Sequence, residues 1–214
     1  MGILKKLNVV KANEGKASTI FEELFPSFLD LEYLTPAEYV RKYWNKYLEI
    51  RDVKIPNEQT KKGVNGKIFE YIISTLLIRE EIFPIFINAK VAFVPNINYD
   101  ILLYSEQNGP ICLSAKTSFR ERYKQADLEA MALKNVHRIS RCFLLTLDDY
   151  DASSLSKKIL KGDTFGLNDV IVATSDKFND FIKELKEFNF SLSPSVSVIK
   201  STQIITKENL LRLL

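Results

Sequence analysis

Hydrophobic residues recur at helical spacing through the first part of the chain. A helix is predicted over residues 36–50, where Thr35 can cap the first turn and Pro36 takes the first helical position. A second and stronger helix is predicted over residues 66–82, because its apolar side chains recur three and four residues apart. The segment before Thr35 predicts only short helices, so the chain is expected to begin with a helical region.

From residue 85 the pattern changes to short β-prone runs. Strands are predicted over residues 85–93, 100–105 and 110–117, and the sequence Glu106-Gln107-Asn108-Gly109 between the last two is typical of a hairpin turn. Beyond them a helix is predicted over residues 120–137, followed by alternating elements: strands over 142–147, 169–174 and 195–199, and helices over 155–162, 177–188 and 208–214. This order predicts an α/β fold with a mixed central β-sheet flanked by helices.

Length and composition are those of one globular domain. The 214 residues are 46% apolar and 27% charged, with no internal repeat and no Gly-, Pro- or Ser-rich linker. We therefore expect a single domain over residues 1–214, with a helical N-terminal part (1–56) and an α/β core (57–214). A run of 18 or more apolar residues and a secretory signal are both missing from the sequence, which predicts a cytoplasmic protein without a membrane partner.

The inventory of reactive side chains narrows the possible chemistry. Cys112 and Cys142 lie inside apolar segments and are expected to be small buried thiols. His137 is the single histidine and is expected to be structural, so zinc clusters and Ser/His/Asp triads are hard to build. The formal charge of +3 permits a polyanionic partner without requiring one. Hydrolytic chemistry, if present, would use carboxylates, lysine and an added metal.

The predicted hairpin brings charged residues to one edge of the sheet. Asp100 opens one strand and Lys116 closes the next, and their positions average to 108, so we expect the two to lie opposite each other. Ser114 and Lys116 share a face, since strand side chains alternate. Taken alone, such a pair is also compatible with an ordinary solvated ion pair.

Two glutamates lie beside the apolar stripes of their helices. Glu70 is in line with Ile73 and Leu77, and Glu129 borders Ala126 and Ala130. Buried carboxylates need a cation or hydrogen-bond donors. With Asp100 they would form an oxygen-rich pocket of the kind that Mg²⁺ prefers. Alternatively, either glutamate reaches solvent past its stripe or pairs with a neighbouring Lys or Arg.

A longer motif surrounds this hairpin. The run Ser114-Ala115-Lys116-Thr117-Ser118-Phe119-Arg120-Glu121-Arg122, with Glu129 thirteen positions after the lysine, resembles the active-site and recognition segment of the EcoRII/PspGI-type restriction endonucleases of the PD-(D/E)XK superfamily. In that group serine replaces the acidic residue two places before the lysine, and a glutamate on the next helix stands in for it. The resemblance includes Gln59 and Glu70 and spans roughly residues 57–142. Tyr99 stands where the superfamily name has proline, and the interval from Asp100 to Lys116 is shorter than expected for the group.

The resemblance implies a restriction-endonuclease-like core and Mg²⁺-dependent cleavage of double-stranded DNA. By this resemblance Asp100 and Glu129 would bind Mg²⁺, with Glu70 supporting the metal site. Lys116 would orient or activate the attacking water, and Ser114 would occupy the place of the missing carboxylate. The alternatives are a repair or junction-resolving nuclease of the same superfamily, and a DNA-binding domain that has lost catalysis.

The same segment implies a recognition site. Arginine can bind guanine O6 and N7 with two hydrogen bonds and glutamate can accept from the cytosine amino group. By resemblance, Arg120, Glu121 and Arg122 would therefore read the CC/GG steps, helped by Gln59, in a CCNGG-, CCWGG- or CCGG-like site. A homodimer would match such a near-palindrome. A companion DNA methyltransferase is expected in the cell but not as a physical partner.

Some members of that group flip the central bases and stack them on an aromatic side chain. Trp44, Phe25 and Phe28 are available for such a role, but core packing is the favoured interpretation for each.

Overall fold

The computed structural model describes residues 2–10, 15–94 and 96–194. The helices are α1 (Ile3–Lys6), α2 (Lys16–Leu24), α3 (Pro36–Lys54), α4 (Glu58–Arg79), α5 (Tyr123–Val136), α6 (Asp149–Lys161) and α7 (Asp176–Lys186), with short 3₁₀ turns at Phe28–Asp30 and Arg120–Arg122. The strands are β1 (Phe86–Ala89), β2 (Tyr99–Ser105), β3 (Gly109–Lys116), β4 (Arg141–Thr146) and β5 (Asp169–Val172). The predicted strand 195–199 and helix 208–214 lie outside the described residues.

The strands of the described region form one five-stranded sheet in the order β1-β2-β3-β4-β5. β1, β2 and β3 are antiparallel neighbours, whereas β3, β4 and β5 run parallel and are connected through α5 and α6. This arrangement is an α/β fold with a mixed sheet flanked by helices, and it confirms the fold class predicted from the sequence pattern.

Local capping explains where several helices begin. Thr35 Oγ1 accepts a hydrogen bond from the Glu38 N–H at 3.2 Å, with proline at the first helical position, as predicted. α4 begins at Glu58, earlier than predicted, because Asn57 Oδ1 accepts from the Thr60 N–H at 2.9 Å. α6 likewise begins earlier, because Asp148 Oδ1 accepts from the Asp151 N–H at 2.9 Å. These caps extend both helices beyond their apolar pattern.

The β2–β3 hairpin has a different register from the one predicted. Ser105 pairs with Gly109 and Ile101 pairs with Leu113, so Asp100 lies beside Ser114 instead of directly opposite Lys116. The reason is that Gly109, at φ +64°, belongs to the strand, which moves the centre of the turn back to residue 107. Lys116 therefore approaches Asp100 diagonally.

The sheet separates two hydrophobic cores. The larger core lies between the sheet and the α2, α3, α4 and α7 helices, and it contains Phe25 and Phe28, with Trp44 packed against it. This confirms core packing for those three aromatic residues. The smaller core lies on the α5 and α6 side and contains both Cys112 and Cys142, which are buried free thiols as expected.

None of the helices in the described ranges is both long enough and apolar enough to cross a membrane.

Candidate active site

Three donors converge on one oxygen of Asp100 at the end of the β2–β3 hairpin. Lys116 Nζ lies 2.7 Å from Asp100 Oδ2, the Ala115 N–H donates to it at 3.1 Å and Ser114 Oγ donates at 3.2 Å. The side chains of Asp100 and Lys116 are 17% and 29% exposed, so the pair is largely shielded but reaches solvent. The structure thus brings together Asp100, Ser114 and Lys116.

Strand alternation explains this convergence. Leu102 of β2 and Cys112 of β3 both face the smaller core. Asp100 and Ser114 are two residues from them along their strands and therefore face the same side. Lys116 continues that face beyond the last residue of β3 that pairs with β2, where its flexible chain can fold back to the carboxylate. The polar cluster is the solvent-facing end of a row that is otherwise apolar.

The other Asp100 oxygen has a different environment. All the hydrogen bonds to the Asp100 carboxylate from the described residues end on Oδ2, and none ends on Oδ1. An ionised carboxylate oxygen has lone pairs for water or for a cation. Asp100 is therefore oriented on one side and open on the other.

Glu70 lies in the middle of α4 and is mostly buried, with its side chain 12% exposed. Burial raises the pKa of this carboxyl above its usual value, and the negative charge of Asp100 adds to the increase. A hydrogen bond from Lys67, and the charges of Lys67 and Lys116, act in the opposite direction without cancelling the shift. Burial is therefore the main cause of the raised pKa of Glu70, and the charge of Asp100 is the second.

Lys67 is the direct partner of Glu70 in this structure. Its Nζ lies 2.6 Å from Glu70 Oε2, one helical turn away, and both residues border a cavity of about 170 Å³ next to β1. Pairing with a neighbouring lysine is the alternative that the sequence left open for Glu70. The Lys67 ammonium group contacts one of the two Glu70 carboxylate oxygens, and the Lys67 side chain is 45% exposed.

Glu129 lies on α5 and is held by its own helix. Gln125 Nε2 donates to Glu129 Oε1 at 2.8 Å, and within the described residues no hydrogen bond connects the Glu129 carboxylate with Asp100 or Lys116. Tyr99 Oη donates to the Glu129 backbone carbonyl at 3.0 Å. Tyr99, which stands where the superfamily name has proline, thus connects β2 with α5 at this glutamate.

Arg120, Glu121 and Arg122 form an exposed 3₁₀ turn immediately before α5. Arg120 has φ +42°, an uncommon conformation for a residue with a side chain. Arg122 Nη2 donates to the Ser118 carbonyl at 2.7 Å, and Glu121 is paired with Lys124, which lowers the pKa of Glu121. The first arginine therefore presents its guanidinium to solvent, whereas the second folds back on the preceding loop.

Gln59 is exposed in the first turn of α4. It precedes Glu70 by three helical turns, which corresponds to about 16 Å along the helix axis. The structure places it on the same helix as Glu70 but does not bring it into the Asp100 cluster.

The donor set suits a hard cation in one respect and is incomplete in another. Asp100 Oδ1 and Glu70 Oε1 are carboxylate oxygens of the type that Mg²⁺ prefers. Within residues 2–10, 15–94 and 96–194, however, no group of three His, Cys, Asp or Glu side chains is close enough to hold one metal ion. The arrangement therefore offers the Asp100 carboxylate with its lysine, and a separate Glu70 carboxylate on α4.

Two contacts of the candidate site were not predicted from the sequence. Asp151 accepts hydrogen bonds from the backbone N–H groups of Phe119 and Arg120, and Tyr99 anchors Glu129. The contact between Lys67 and Glu70 can be predicted from the sequence, since lysine and glutamate stand three apart on a helix. The Asp151 contact cannot be predicted in this way, because its partners are backbone atoms far away along the chain.

Comparison of the chain with protein-family models, with curated proteins and with solved structures gave no match.

Proposed function

We propose that this protein is a Mg²⁺-dependent endonuclease with a restriction-endonuclease-like core, which cuts double-stranded DNA at a short CC/GG-containing site. The observation that carries the proposal is the convergence of Lys116, the Ala115 N–H and Ser114 on Asp100, whose charge also helps to raise the pKa of Glu70. These residues belong to the segment that resembles the EcoRII/PspGI-type enzymes.

Asp100 and Glu70 are the residues that would hold the ion in this arrangement. Proteins commonly bind Mg²⁺ through one or two carboxylates, with waters and substrate phosphate oxygens completing the coordination. Glu129 would join them by resemblance to the family. When bound, Mg²⁺ would supply acidification of water and neutralisation of the charge that develops at phosphorus.

Lys116 contributes a positive charge at a fixed place. Its ammonium group is held by Asp100 and its side chain is 29% exposed, so it can contact a phosphate that reaches this end of the sheet. Lysine acts in such sites as a compact point charge, which would orient the attacking water and stabilise the phosphorane.

Three of the four proposed recognition residues lie directly beyond this site along the chain, and Gln59 lies on α4. The solvent-exposed Arg120 guanidinium and the 3₁₀ turn before α5 would present arginine and glutamate to base edges in the major groove. Arg120, Glu121, Arg122 and Gln59 are proposed to read a CCNGG-, CCWGG- or CCGG-like sequence. A homodimer would match the two-fold symmetry of such a site.

The proposal is tested by digesting unmethylated phage DNA with purified protein and Mg²⁺ and sequencing the fragment ends. We expect discrete ends at one short CC/GG-containing site. Lys116→Ala should lower the cleavage rate by about two to three orders of magnitude while DNA binding stays within a few-fold, because the lysine acts on developing charge. Lys183→Ala, an exposed lysine on α7, is the matched control and should cleave like the wild type.

Other results would contradict the proposal in different ways. Random nicking or cleavage selective for branched DNA would indicate another nuclease of the superfamily. Specific binding without cleavage at any Mg²⁺ concentration would indicate a DNA-binding domain. Loss of specific binding in Lys116→Ala would assign this lysine to DNA contact instead of catalysis.

A further inference from the structure

A carboxylate from α6 holds the loop that leads into the recognition turn. Asp151 Oδ2 accepts hydrogen bonds from the Phe119 N–H at 2.8 Å and from the Arg120 N–H at 2.9 Å. Asp151 lies 32 residues beyond Phe119 in the chain and belongs to the first turn of α6. Two consecutive N–H groups pointing at one carboxylate oxygen fix the direction of the backbone at this point.

The backbone at this point needs such support. Arg120 has φ +42°, which residues with a side chain rarely adopt unless their surroundings impose it. Phe119, the residue before Arg120, is only 2% exposed and anchors the chain in the core. The Arg122 N–H donates to the Phe119 carbonyl at 2.6 Å and closes the turn. Asp151 supplies the remaining constraint, on the N–H of the strained residue itself.

The helical turn that carries this carboxylate is itself held in place. The Asp151 N–H donates to Asp148 Oδ1 at 2.9 Å, and the Asp148 N–H donates to Thr146 Oγ1 at 3.2 Å. Thr146 Oγ1 in turn donates to the Thr117 carbonyl at 3.3 Å. The end of β4 and the start of α6 therefore hold the recognition loop at two places.

Few packed side chains could replace this support. A cavity of about 550 Å³ lies between the loop and α6, lined among others by Phe119, Arg120, Asp151 and Lys158. Because the space beside Arg120 is not filled by protein, its backbone is constrained by the packing of Phe119 and by these hydrogen bonds. Removing the carboxylate would release Arg120 to the ordinary helical or extended conformations.

We infer that Asp151 is a positioning residue for sequence recognition, which fixes the Arg120 backbone so that the guanidinium meets one base pair and discriminates against others. This inference rests on the proposed function. Asp151 contacts neither Asp100 nor Lys116 in the described part of the chain, so its loss should weaken recognition and leave the chemical step nearly unchanged.

The experiment compares Asp151→Ala, Asp151→Asn and Asp149→Ala in the full chain. Asp149→Ala is the matched control, because Asp149 is an exposed carboxylate in the same first turn of α6. The substrates are a duplex containing the site identified by fragment-end sequencing and duplexes with one base pair of that site replaced. Dissociation constants are measured in Ca²⁺, and single-turnover cleavage rates are measured in Mg²⁺ at saturating protein.

We expect Asp151→Ala to bind the intact site about 10- to 100-fold more weakly and to lose most of its discrimination at one base pair, in line with a single arginine–guanine contact. The saturating cleavage rate should stay within about threefold of the wild type, since the catalytic cluster is untouched. Asp151→Asn should recover much of the discrimination, because an amide oxygen also accepts hydrogen bonds. Asp149→Ala should behave like the wild type.

Amide hydrogen exchange gives a readout that needs neither DNA nor activity. The Phe119 and Arg120 amides should exchange faster in Asp151→Ala than in Asp149→Ala, while the amides of β3 and β4 should not change. A variant with undisturbed exchange in the strands is folded, so this measurement also detects failure to fold. Asp151→Asn, which keeps the volume of the side chain, provides the second variant.

The inference is overturned if Asp151→Ala keeps its discrimination, if binding and cleavage rate fall together on every sequence, or if Asp149→Ala has the same effect. In each of these cases the wild-type protein still cuts at one site and the proposed function stands. If the wild-type protein yields no discrete ends, the proposed function itself fails, and unchanged Phe119 and Arg120 exchange in Asp151→Ala would separately reject the positioning role.

Discussion

The two faces of the sheet differ in the extent of their apolar packing. On the α3 and α4 side, fully buried aromatic and aliphatic side chains form one continuous core. On the α5 and α6 side the apolar core is smaller, and polar contacts to backbone atoms connect the elements. Asp127 of α5 accepts from the N–H groups of residues 165–167, Asp151 of α6 accepts from those of residues 119–120, and Tyr99 Oη donates to the Glu129 carbonyl.

This difference matters because apolar packing and hydrogen bonds constrain a structure in different ways. Packing supplies most of the stability and tolerates small shifts, whereas a hydrogen bond is directional and fixes one orientation. Glu70 is placed by the apolar core around α4, which also desolvates it. Arg120 and Glu129 lie on the α5 and α6 side of the sheet. There, a single substitution can change the orientation of a side chain or loop without unfolding the protein.

The largest effect is expected on the apolar face. Phe69 of α4 is completely buried in the larger core, and Phe69→Ala should lower the free energy of unfolding by about 3–5 kcal/mol through lost burial and the cavity left behind. Urea unfolding followed by circular dichroism measures this value. Val53→Ala on α3, where the valine is 85% exposed, should change it by less than about 0.5 kcal/mol. An equally small effect of both changes would show that the larger core does not dominate stability.

A smaller effect is expected from the polar contacts of α5. Asp127 Oδ1 accepts from the Gly166 N–H at 2.7 Å and from the Leu167 N–H at 2.9 Å, so Asp127→Ala leaves these donors without their charged partner. We expect a loss of about 2–3 kcal/mol in urea unfolding, with faster amide exchange at residues 165–167. Asp127→Asn should recover part of both, because its amide oxygen can still accept.

The control for this prediction is Asp180→Ala, which removes an exposed carboxylate from α7. A loss as large as that of Asp127→Ala would assign the effect to net charge instead of to the backbone contacts. A loss as large as that of Phe69→Ala would remove the contrast between the two faces.

Much of the fold follows from local rules that the sequence displays. The β-prone runs of β2 and β3, the helical spacing in α4 and α5, and the Thr35-Pro36 cap all depend on residues close together in the chain. The hairpin register was wrong because it depends on whether Gly109 belongs to the turn or to the strand, and only its positive φ decides that. The first residues of α4 and α6 were predicted too late in the chain, because the caps Asn57 and Asp148 extend these helices before their apolar stripes begin.

The candidate site divides in the same way. Asp100 and Lys116 come together because a hairpin brings nearby residues to one edge, and the sequence was sufficient to predict this. The contacts of Asp127 and Asp151 connect a side chain with distant backbone N–H groups, which every residue except proline has. Side-chain patterns carry no information about such partners, so these contacts required the three-dimensional structure.

The smallest expected effect on stability comes from the ionisation of Glu70, whose carboxyl is buried beside the larger core. The pKa of Glu70 is raised in the folded protein, mainly by burial and then by Asp100. An acid with a raised pKa in the folded state contributes stability that is fully present below its unfolded value, near 4.3, and is lost as the pH rises through the folded pKa. Glu70→Gln does not ionise, so the free energy of unfolding of the variant minus that of the wild type should increase as the pH rises above about 4.

Urea unfolding between pH 4 and 8 with a chelator present measures this difference. Glu187→Gln, at an exposed position, corrects for the general effect of removing one charge. If the difference in unfolding free energy between Glu70→Gln and the wild type decreases with rising pH, Lys67 and Lys116 outweigh burial at Glu70. The larger core would then not desolvate this carboxylate.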